Sequence, residues 1–219
     1  MAGTSFSTVY RRAITEFKDP TLKKLFDNNL IMFNQVMFNF FENAISLFTN
    51  PAQVQLKLSD RIDPILYENS FTGDGIQTIF SLVQFPSEEL VEDCVFEYLV
   101  NSIPASASYD KTSNSVTFSV APELNSSIVI NIYFVGYFNV NLFDNEIYIL
   151  SQFIISAWSE YIQNDKLDII RLLGDTDFKL TSVASSTTAK SSWNIVNREV
   201  ATKRMNKYAW DAKFGGIYK

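Results

Sequence analysis

The sequence predicts an α+β fold: a helical body with an inserted small antiparallel β-sandwich or sheet module and an extended C-terminal arm. Three observations predict it. Apolar residues recur at helical spacing from Thr21 to about Phe48, strand-like alternation begins near residue 65, and helical spacing returns near residue 142. The predicted parts are a helical body of residues 1–64 and 139–180, an inserted β module of residues 65–138, and a linker with a basic C-terminal arm of residues 181–219.

The first part of the body is predicted to contain two helices. Ser7 to Phe17 has a modest helical pattern, and Asp19-Pro20 combines a capping residue with a proline suited to the first helical turn. The second helix is expected to run without interruption from Thr21 to about Phe48, roughly 40 Å at 1.5 Å per residue. Its wide apolar stripe should be covered on most sides, either by this chain or by a neighbouring subunit.

The middle part has the pattern of a small antiparallel sheet. Large apolar residues alternate from position 128 to 134, and Gln77–Leu82, Val95–Val100 and Ser115–Val120 are also strand-like. Gly73-Asp74-Gly75 is predicted to be a tight turn that leads into a strand. A phosphate loop needs a longer glycine pattern with a lysine, and a calcium loop needs acidic residues at alternating positions.

The C-terminal third begins as a helix and ends as a basic segment. One apolar stripe runs from Ile147 to Ile162, Leu167–Leu173 continues it, and Gly174 is a suitable stop. Residues 181–192 are small and polar, which predicts an extended or mobile linker. Residues 190–219 contain seven basic and two acidic residues, a net charge of +5, so the rest of the chain carries −11.

The basic arm contains the candidate subunit interface. We expect it to be disordered or loosely held in the free subunit and to become ordered when it docks on the acidic body of a neighbouring copy. Its large aromatic residues would be the anchors of that contact. A solvated basic face and a contact with nucleic acid are the alternatives. The candidate interface residues are Trp193, Arg198, Lys203, Arg204, Lys207, Tyr208 and Trp210.

Composition argues against an enzyme. The chain has no histidine, which is the commonest general base and zinc ligand, and its single cysteine, Cys94, follows two acidic residues that disfavour a reactive thiolate. The sequence therefore predicts no catalytic residue, no metal, no cofactor and no small-molecule substrate. The most lipid-like stretch, Asn28 to Phe41, is 14 residues long. A membrane-spanning helix needs about 20, so no membrane contact is expected.

The β region also carries a composite motif of four pieces. They are Phe-x-Gly-Asp-Gly-x-x-Thr-x-Phe-x-Leu, a Val-x-x-x-x-Val-Asn strand, a Thr-Phe strand that ends in Ala-Pro, and an Ile-x-Ile-x-Tyr strand. The residues are Phe71, Gly73, Asp74, Gly75, Thr78, Phe80 and Leu82; Val95, Val100 and Asn101; Val116, Thr117, Phe118, Ala121 and Pro122; Ile128, Ile130, Ile132 and Tyr133. This pattern resembles a β module of tailed-bacteriophage structural proteins. It departs at Ser102, where glycine is common, so the hairpin there is expected to differ.

The resemblance implies a non-enzymatic structural protein of a virion, and the single cysteine suits synthesis in the host cytoplasm. A β module between helices, with a C-terminal arm, resembles head-to-tail connector or neck (adaptor) subunits. Such a subunit would form a ring with copies of itself and join the capsid portal to the tail. Its partners would be portal or tail proteins and the DNA that passes through the channel. A tail or baseplate component is one alternative. A nucleic-acid-binding accessory protein acting through the basic arm is an alternative of another class.

Overall fold

A computed structural model describes residues 3–17, 19–86, 94–164 and 183–214 of the chain, with the backbone alone for 162–164, 183–194 and 214. These residues form six α-helices and three small antiparallel sheets, so the predicted α+β fold class is confirmed. The chain divides into two compact units. One comprises residues 62–136, and the other comprises residues 2–61 and 137–219. The sequence-predicted boundaries at 65 and 138 lie close to these limits.

The helical unit begins with a two-residue strand and four helices. They are β1 (Thr4–Ser5), α1 (Phe6–Phe17), α2 (Pro20–Asn28), α3 (Leu30–Leu47) and α4 (Ala52–Ser59). As predicted, Asp19 caps α2, because its side chain accepts hydrogen bonds from the backbone N–H groups of Thr21 and Leu22. The N–H groups in the first turn of a helix have no partner within the helix, and the carboxylate supplies one.

The expected continuous helix from Thr21 to Phe48 is wrong, because the chain breaks at Asn29. This residue has φ −147° and ψ 89°, outside the helical region, and its side chain accepts a hydrogen bond from the Met32 N–H at 2.8 Å. Asparagine competes with the helix in this way because its short side chain bonds to nearby backbone groups. Asn29 therefore ends α2 and caps α3, although apolar spacing continues across it.

The described residues in the C-terminal part of the helical unit, 139–164 and 183–214, include two long helices, α5 (Asp144–Asn164) and α6 (Val183–Phe214). The predicted linker over 181–192 is wrong from residue 183 onward, where the chain is helical and continuous with the basic segment. The arm is therefore a helix within the helical unit, where an extended third part was expected. Leu167–Leu173 and Gly174, predicted to extend and end α5, lie outside the described residues.

The core of the helical unit is rich in stacked and edge-on aromatic rings. Phe6 of α1 lies 4.5 Å from Phe41 of α3 and 4.9 Å from Phe138, measured between ring centroids. Phe138 belongs to β10 (Tyr137–Phe138), which pairs with β1 in a three-stranded sheet of order β1-β10-β2, where β2 is Arg61–Ile62. Aromatic pairs at these separations stabilise a core beyond their buried area. Much of the chain's phenylalanine is therefore used inside this unit.

The described residues of the inserted unit, 62–86 and 94–136, form a β-sandwich of two antiparallel sheets. The first has the order β3-β9-β5-β6, and the second has the order β4-β8-β7. All four strands predicted from the sequence are present with shorter or shifted ends, whereas β3, β6 and β7 were not predicted. The strands are β3 (Ile65–Thr72), β4 (Ile79–Ser81), β5 (Cys94–Val100), β6 (Ile103–Pro104), β7 (Ala107–Asp110), β8 (Ser115–Phe118) and β9 (Ser127–Phe134).

One apolar core joins the two sheets. Alternation along β9 places Ile128, Ile130 and Ile132 inward, and all three are fully buried with residues of β4 and β8. Cys94 is a half-buried residue at the start of β5, in line with its prediction as a strand residue. Asn69 of β3 is buried as well, and its amide bonds to the backbone of residues 83 and 84, which ties the loop after β4 to the edge of the first sheet.

Two turns of the sandwich explain specific residues of the motif. Asp74 accepts hydrogen bonds from the N–H groups of Ile76 and Gln77 at 2.8 and 2.6 Å, which makes the Gly73-Asp74-Gly75 segment the predicted tight turn. A Cβ at position 73 would collide with the Glu123 carbonyl oxygen. The hairpin at Asn101-Ser102 has φ +51° and +64°, the left-handed pair of a type I′ turn, with serine at a position that favours glycine.

Candidate subunit interface

All seven residues predicted for the subunit interface belong to α6. Trp193 lies in the part of the helix for which the backbone alone is described. Tyr208 is half-buried, and the other five are exposed. The sequence-predicted set therefore shares one helix, and its members differ in what they contact. The five exposed residues are Arg198, Lys203, Arg204, Lys207 and Trp210.

Helix α6 is fixed in the helical unit by a narrow apolar face. Ala201 and Met205 lie one turn apart, and both are buried, with 0% and 5% of their surface exposed. Tyr208 follows at the next turn of the same face and is half-buried. These residues pack toward α5, the helix with which α6 makes its most extensive contact.

A buried carboxylate lies at the centre of this packing. Glu146 in the first turn of α5 is fully buried, and Lys57 of α4 places its Nζ 2.9 Å from Oε1 and 3.2 Å from Oε2. The Phe143 N–H donates to Oε2 at 2.8 Å, and the Tyr208 hydroxyl donates to Oε1 at 2.9 Å. A buried charge is costly unless it is paired and hydrogen-bonded, and here three donors satisfy it.

The Tyr208 hydroxyl is held in its protonated form. Burial raises the pKa of Tyr208 to about 12, and the hydrogen bond to Glu146 and the negative charge of that carboxylate act in the same direction. The hydroxyl is therefore a permanent donor at neutral pH. Tyr208 thus joins α6 to α5 through a charge-assisted hydrogen bond, the stronger kind of hydrogen bond in proteins.

Tyr148 of α5, one turn after Asp144, presents its ring to two arginines. The guanidinium carbon of Arg204 lies 4.1 Å from the ring centroid, and that of Arg12 in α1 lies 5.5 Å from it. Guanidinium groups are attracted to the electron-rich face of an aromatic ring, by about 0.5–1 kcal/mol at exposed sites. Arg204, predicted as an intersubunit contact, is therefore engaged within its own subunit.

The four basic residues of the predicted interface do not form one stripe. Arg198 lies beside Glu160 and Tyr161 around a cavity between α3 and α5, whereas Arg204 and Lys207 line a separate groove of about 280 Å³ at the start of α5. Lys203 pairs with Glu199 one turn earlier, at 3.4 Å. Five residues along a helix correspond to a rotation of roughly 140°, so Arg198 and Lys203 project in different directions.

The sequence reasoning missed Glu146, Lys57 and Tyr148, which organise this region. A signal for Glu146 existed. It is the third residue of α5, and its carboxylate accepts the N–H of Phe143, the residue before the helix, as the acidic member of a capping box does. No local sequence pattern indicates the role of Lys57, because its partner Glu146 lies 89 residues away in the sequence.

The structure describes residues 3–17, 19–86, 94–164 and 183–214. Within those ranges, no cluster of three or more cysteine, aspartate or glutamate side chains could hold a metal ion. None of the helices seen in these same ranges is long and apolar enough to cross a membrane. Comparisons with protein-family models, with curated proteins and with solved structures found no match to this chain.

Proposed function

We propose that this protein is a structural subunit of a tailed-phage virion, a connector or neck component that forms a homomeric ring between the capsid portal and the tail. The observation that carries the proposal is the β-sandwich of residues 62–136, which interrupts a helical unit and contains the phage-type motif. The motif and the architecture support the proposal together, because the motif alone occurs in several kinds of virion protein.

The residues of the motif support the proposal through their places in the sandwich. Phe80, Phe118 and Ile130 are core residues that join the two sheets, and Gly73 and Asp74 form the turn that the motif begins with. These three apolar positions of the motif are buried in the core, and its first glycine stands where a Cβ would collide with the Glu123 carbonyl oxygen. The resemblance is therefore consistent with the fold at the level of single residues.

The surface of the helical unit supports a role in an assembly. Leu56 of α4 and Phe143 before α5 are large apolar residues with 72% and 62% of their surface exposed. Lys57 stacks on the Phe143 ring at 4.3 Å, which holds the ring in an exposed position. Apolar groups that remain in water in one subunit are available for burial against another.

An antibody raised against the purified protein tests the proposal on intact particles of the phage that encodes it. Electron microscopy should find the label at the joint between head and tail, in several copies per particle. Label at the distal end of the tail would instead support the tail or baseplate alternative. Particles that carry no label, and contain no peptide of this chain by mass spectrometry, would overturn the proposal.

The nucleic-acid alternative has a separate test. Binding of the isolated protein to duplex DNA should be weak and should not show the steep salt dependence that arises when many phosphates are contacted. The reason is the distribution of Arg198, Lys203, Arg204 and Lys207 around α6, with Glu199 and Asp211 among them. Tight, salt-dependent binding that is lost on replacing these four basic residues would favour the alternative.

A further inference from the structure

One end of the β-sandwich presents an unusual amount of apolar surface. Ile76, Ile103, Val120 and Leu124 have between 68% and 85% of their surface exposed. Ile76 lies in the loop after β3, Ile103 lies in the β5–β6 hairpin as the first residue of β6, and Val120 and Leu124 lie in the loop after β8. Single exposed aliphatic residues are ordinary on protein surfaces, whereas several on neighbouring loops mark a contact surface. These four residues are called the loop-end patch below.

Backbone hydrogen bonds and a shared groove connect these segments. The Gly75 N–H donates to the Pro122 carbonyl at 3.1 Å, and the Asn101 N–H donates to the Ser127 carbonyl at 2.8 Å. Ile103 and Val120 line the same shallow groove, of about 400 Å³. The groove joins Ile103 to Val120, and the Gly75–Pro122 hydrogen bond joins the loops that carry Ile76 and Leu124, so the four residues lie at one end of the sandwich.

The charges around the loop-end patch are negative. Asp74 and Glu123 are exposed on the same loops, and hydrogen bonds from the N–H groups of Gln77 and Ile76 lower the pKa of Asp74, so its carboxylate stays ionised. Residues 62–136 contain ten acidic residues and one basic residue, a net charge of −9. A partner for this surface should therefore be apolar and positively charged.

The outward side of α6 has this character. Val196, Lys203 and Trp210 recur every seven residues and lie on the side of the helix opposite Ala201 and Met205. Val196 and Trp210 have 56% and 64% of their surface exposed, although both are large and apolar. Helix α6 as a whole contains six basic and two acidic residues, a net charge of +4. These three residues are called the outward stripe below.

We propose that the loop-end patch of one copy docks on the outward stripe of α6 in a second copy. This inference rests on the proposed function and names the contact between neighbouring subunits. The two surfaces differ, so the contact is head-to-tail, and each copy can engage two neighbours. Such contacts close into a ring when the rotation between copies allows it, and otherwise extend. Attraction between the acidic module and the basic helix should weaken with salt.

Self-association of the full chain, measured by sedimentation velocity at several concentrations and salt levels, tests the proposal. The double variant Ile103→Ser, Leu124→Ser should weaken association by about tenfold or more, because anchors of this size dominate interfaces. Val83→Ser is the matched control, since Val83 is 87% exposed on the same module but lies outside the three loops. It should associate as the wild type does.

A charge exchange tests the pairing of the two surfaces. Glu123→Lys and Lys203→Glu should each reduce self-association, and an equimolar mixture of the two variants should restore it, because each junction then joins opposite charges. Neither residue is buried, so circular dichroism should find both variants folded. Association that persists in the double serine variant, or a mixture no better than either variant alone, would overturn the proposal.

A wild-type chain that stays monomeric at the highest concentration reached would overturn it as well. That result would leave another virion protein as the occupant of the loop-end patch. The outcome is distinct from failure of the proposed function, which is judged from the position of the protein in particles. A protein located at the head-to-tail joint could still associate through other surfaces.

Discussion

The hydroxyl of Tyr208 in α6 donates a hydrogen bond to the carboxylate of Glu146 in α5 over 2.9 Å, across 62 residues of sequence. The oxygen that accepts it also lies 2.9 Å from the ammonium group of Lys57 in α4. Three helices therefore meet at one carboxylate. Replacement of Tyr208, Glu146 or Lys57 should destabilise the whole helical unit, because the polar groups of the other two would keep fewer hydrogen-bond partners.

Replacement of Tyr208 by phenylalanine should lower the free energy of unfolding by about 1–2 kcal/mol. The ring and its packing remain, but Glu146 loses one of its three donors, and hydrogen bonds to charged groups contribute more than neutral ones. Urea denaturation followed by tryptophan fluorescence measures this directly. All three tryptophans, at positions 158, 193 and 210, belong to the helical unit, so their signal reports on it alone.

The matched control for this variant is Tyr67→Phe. Tyr67 packs against the core of the β-sandwich, so its replacement should leave the tryptophan transition of the helical unit in place. A Tyr208→Phe variant with the stability of the wild type would mean that the hydrogen bond to Glu146 contributes nothing to the stability of the helical unit.

Replacement of Glu146 by alanine should cost more, about 3 kcal/mol. The change leaves the Lys57 ammonium group and the Tyr208 hydroxyl without their acceptor, and breaking a buried ion pair from one side typically costs 3–5 kcal/mol. The lower end applies because Lys57 is partly exposed. Glu160→Ala, at an exposed position of α5, is the control and should change stability by less than about 0.5 kcal/mol. Equal effects in the two variants would contradict the buried network.

Alkaline pH should destabilise both units. Burial raises the pKa of Tyr98, Tyr133 and Tyr208 to about 12, from an ordinary value near 10. A raised pKa means that the folded state holds the proton more tightly, so the stability gained is complete below pH 10 and is lost as the pH rises toward 12.

Urea denaturation at pH 8, 10 and 11 should follow this decline, and tyrosinate absorbance should find part of the chain's tyrosine titrating near pH 12. Tyr133→Phe removes one of the three tyrosine hydroxyls whose pKa is raised. The stability of the β-sandwich should therefore fall less steeply above pH 10 in this variant than in the wild type. A single titration of all tyrosines near pH 10 would contradict the prediction.

Local patterns were sufficient for the type of most elements. Apolar alternation identified β5, β8 and β9, and the Asp19-Pro20 cap placed the start of α2, because both signals act within a few residues. The break at Asn29 was missed because apolar spacing continues through it, and a capping side chain decides the geometry there. Strand β3 was missed because its residues are mostly exposed and it is held at the sheet edge by pairing with β9.

The interface residues illustrate the limit of sequence reasoning more sharply. Composition identified α6 as basic and aromatic, which is correct. Whether Arg204 is available to a neighbouring subunit depends on Tyr148, which lies 56 residues earlier. Whether Tyr208 is bound within its own subunit depends on Glu146, which accepts its hydrogen bond. Contacts between residues so far apart in the chain produce no periodic pattern in the sequence. The small polar residues of 183–192 looked like a linker for the same reason, since helix formation there depends on continuity with a segment that packs on α5.

Replacement of Ser102 by glycine should stabilise the protein by about 0.5–1 kcal/mol. Ser102 has φ +64°, a left-handed conformation that glycine adopts without the steric cost of a Cβ. Ser108→Gly is the control. Ser108 is an exposed residue within β7, where glycine should instead destabilise by a similar amount. Thermal unfolding followed by strand-type circular dichroism measures both, and a destabilised Ser102→Gly variant would contradict the assigned turn.

Removal of α6 provides the most direct test of its place in the fold. A chain that ends at residue 182 loses the burial of Ala201 and Met205 and the hydrogen bond from Tyr208 to Glu146. One larger and one smaller apolar side chain together with one hydrogen bond correspond to about 3–6 kcal/mol, a large share of the stability of an ordinary domain. We therefore expect the truncated chain to be aggregated or to unfold at much lower urea concentration.

A chain that ends at Phe214 is the control, since it keeps all of these contacts. The same truncation also separates two views of the basic segment. A loosely held arm would leave a soluble and fully stable body behind when it is removed, whereas an integral helix would not. Because α6 buries Ala201 completely and supplies one of the three donors to a fully buried carboxylate, the structure favours the integral helix, and equal stability of the two truncated chains would reverse that conclusion.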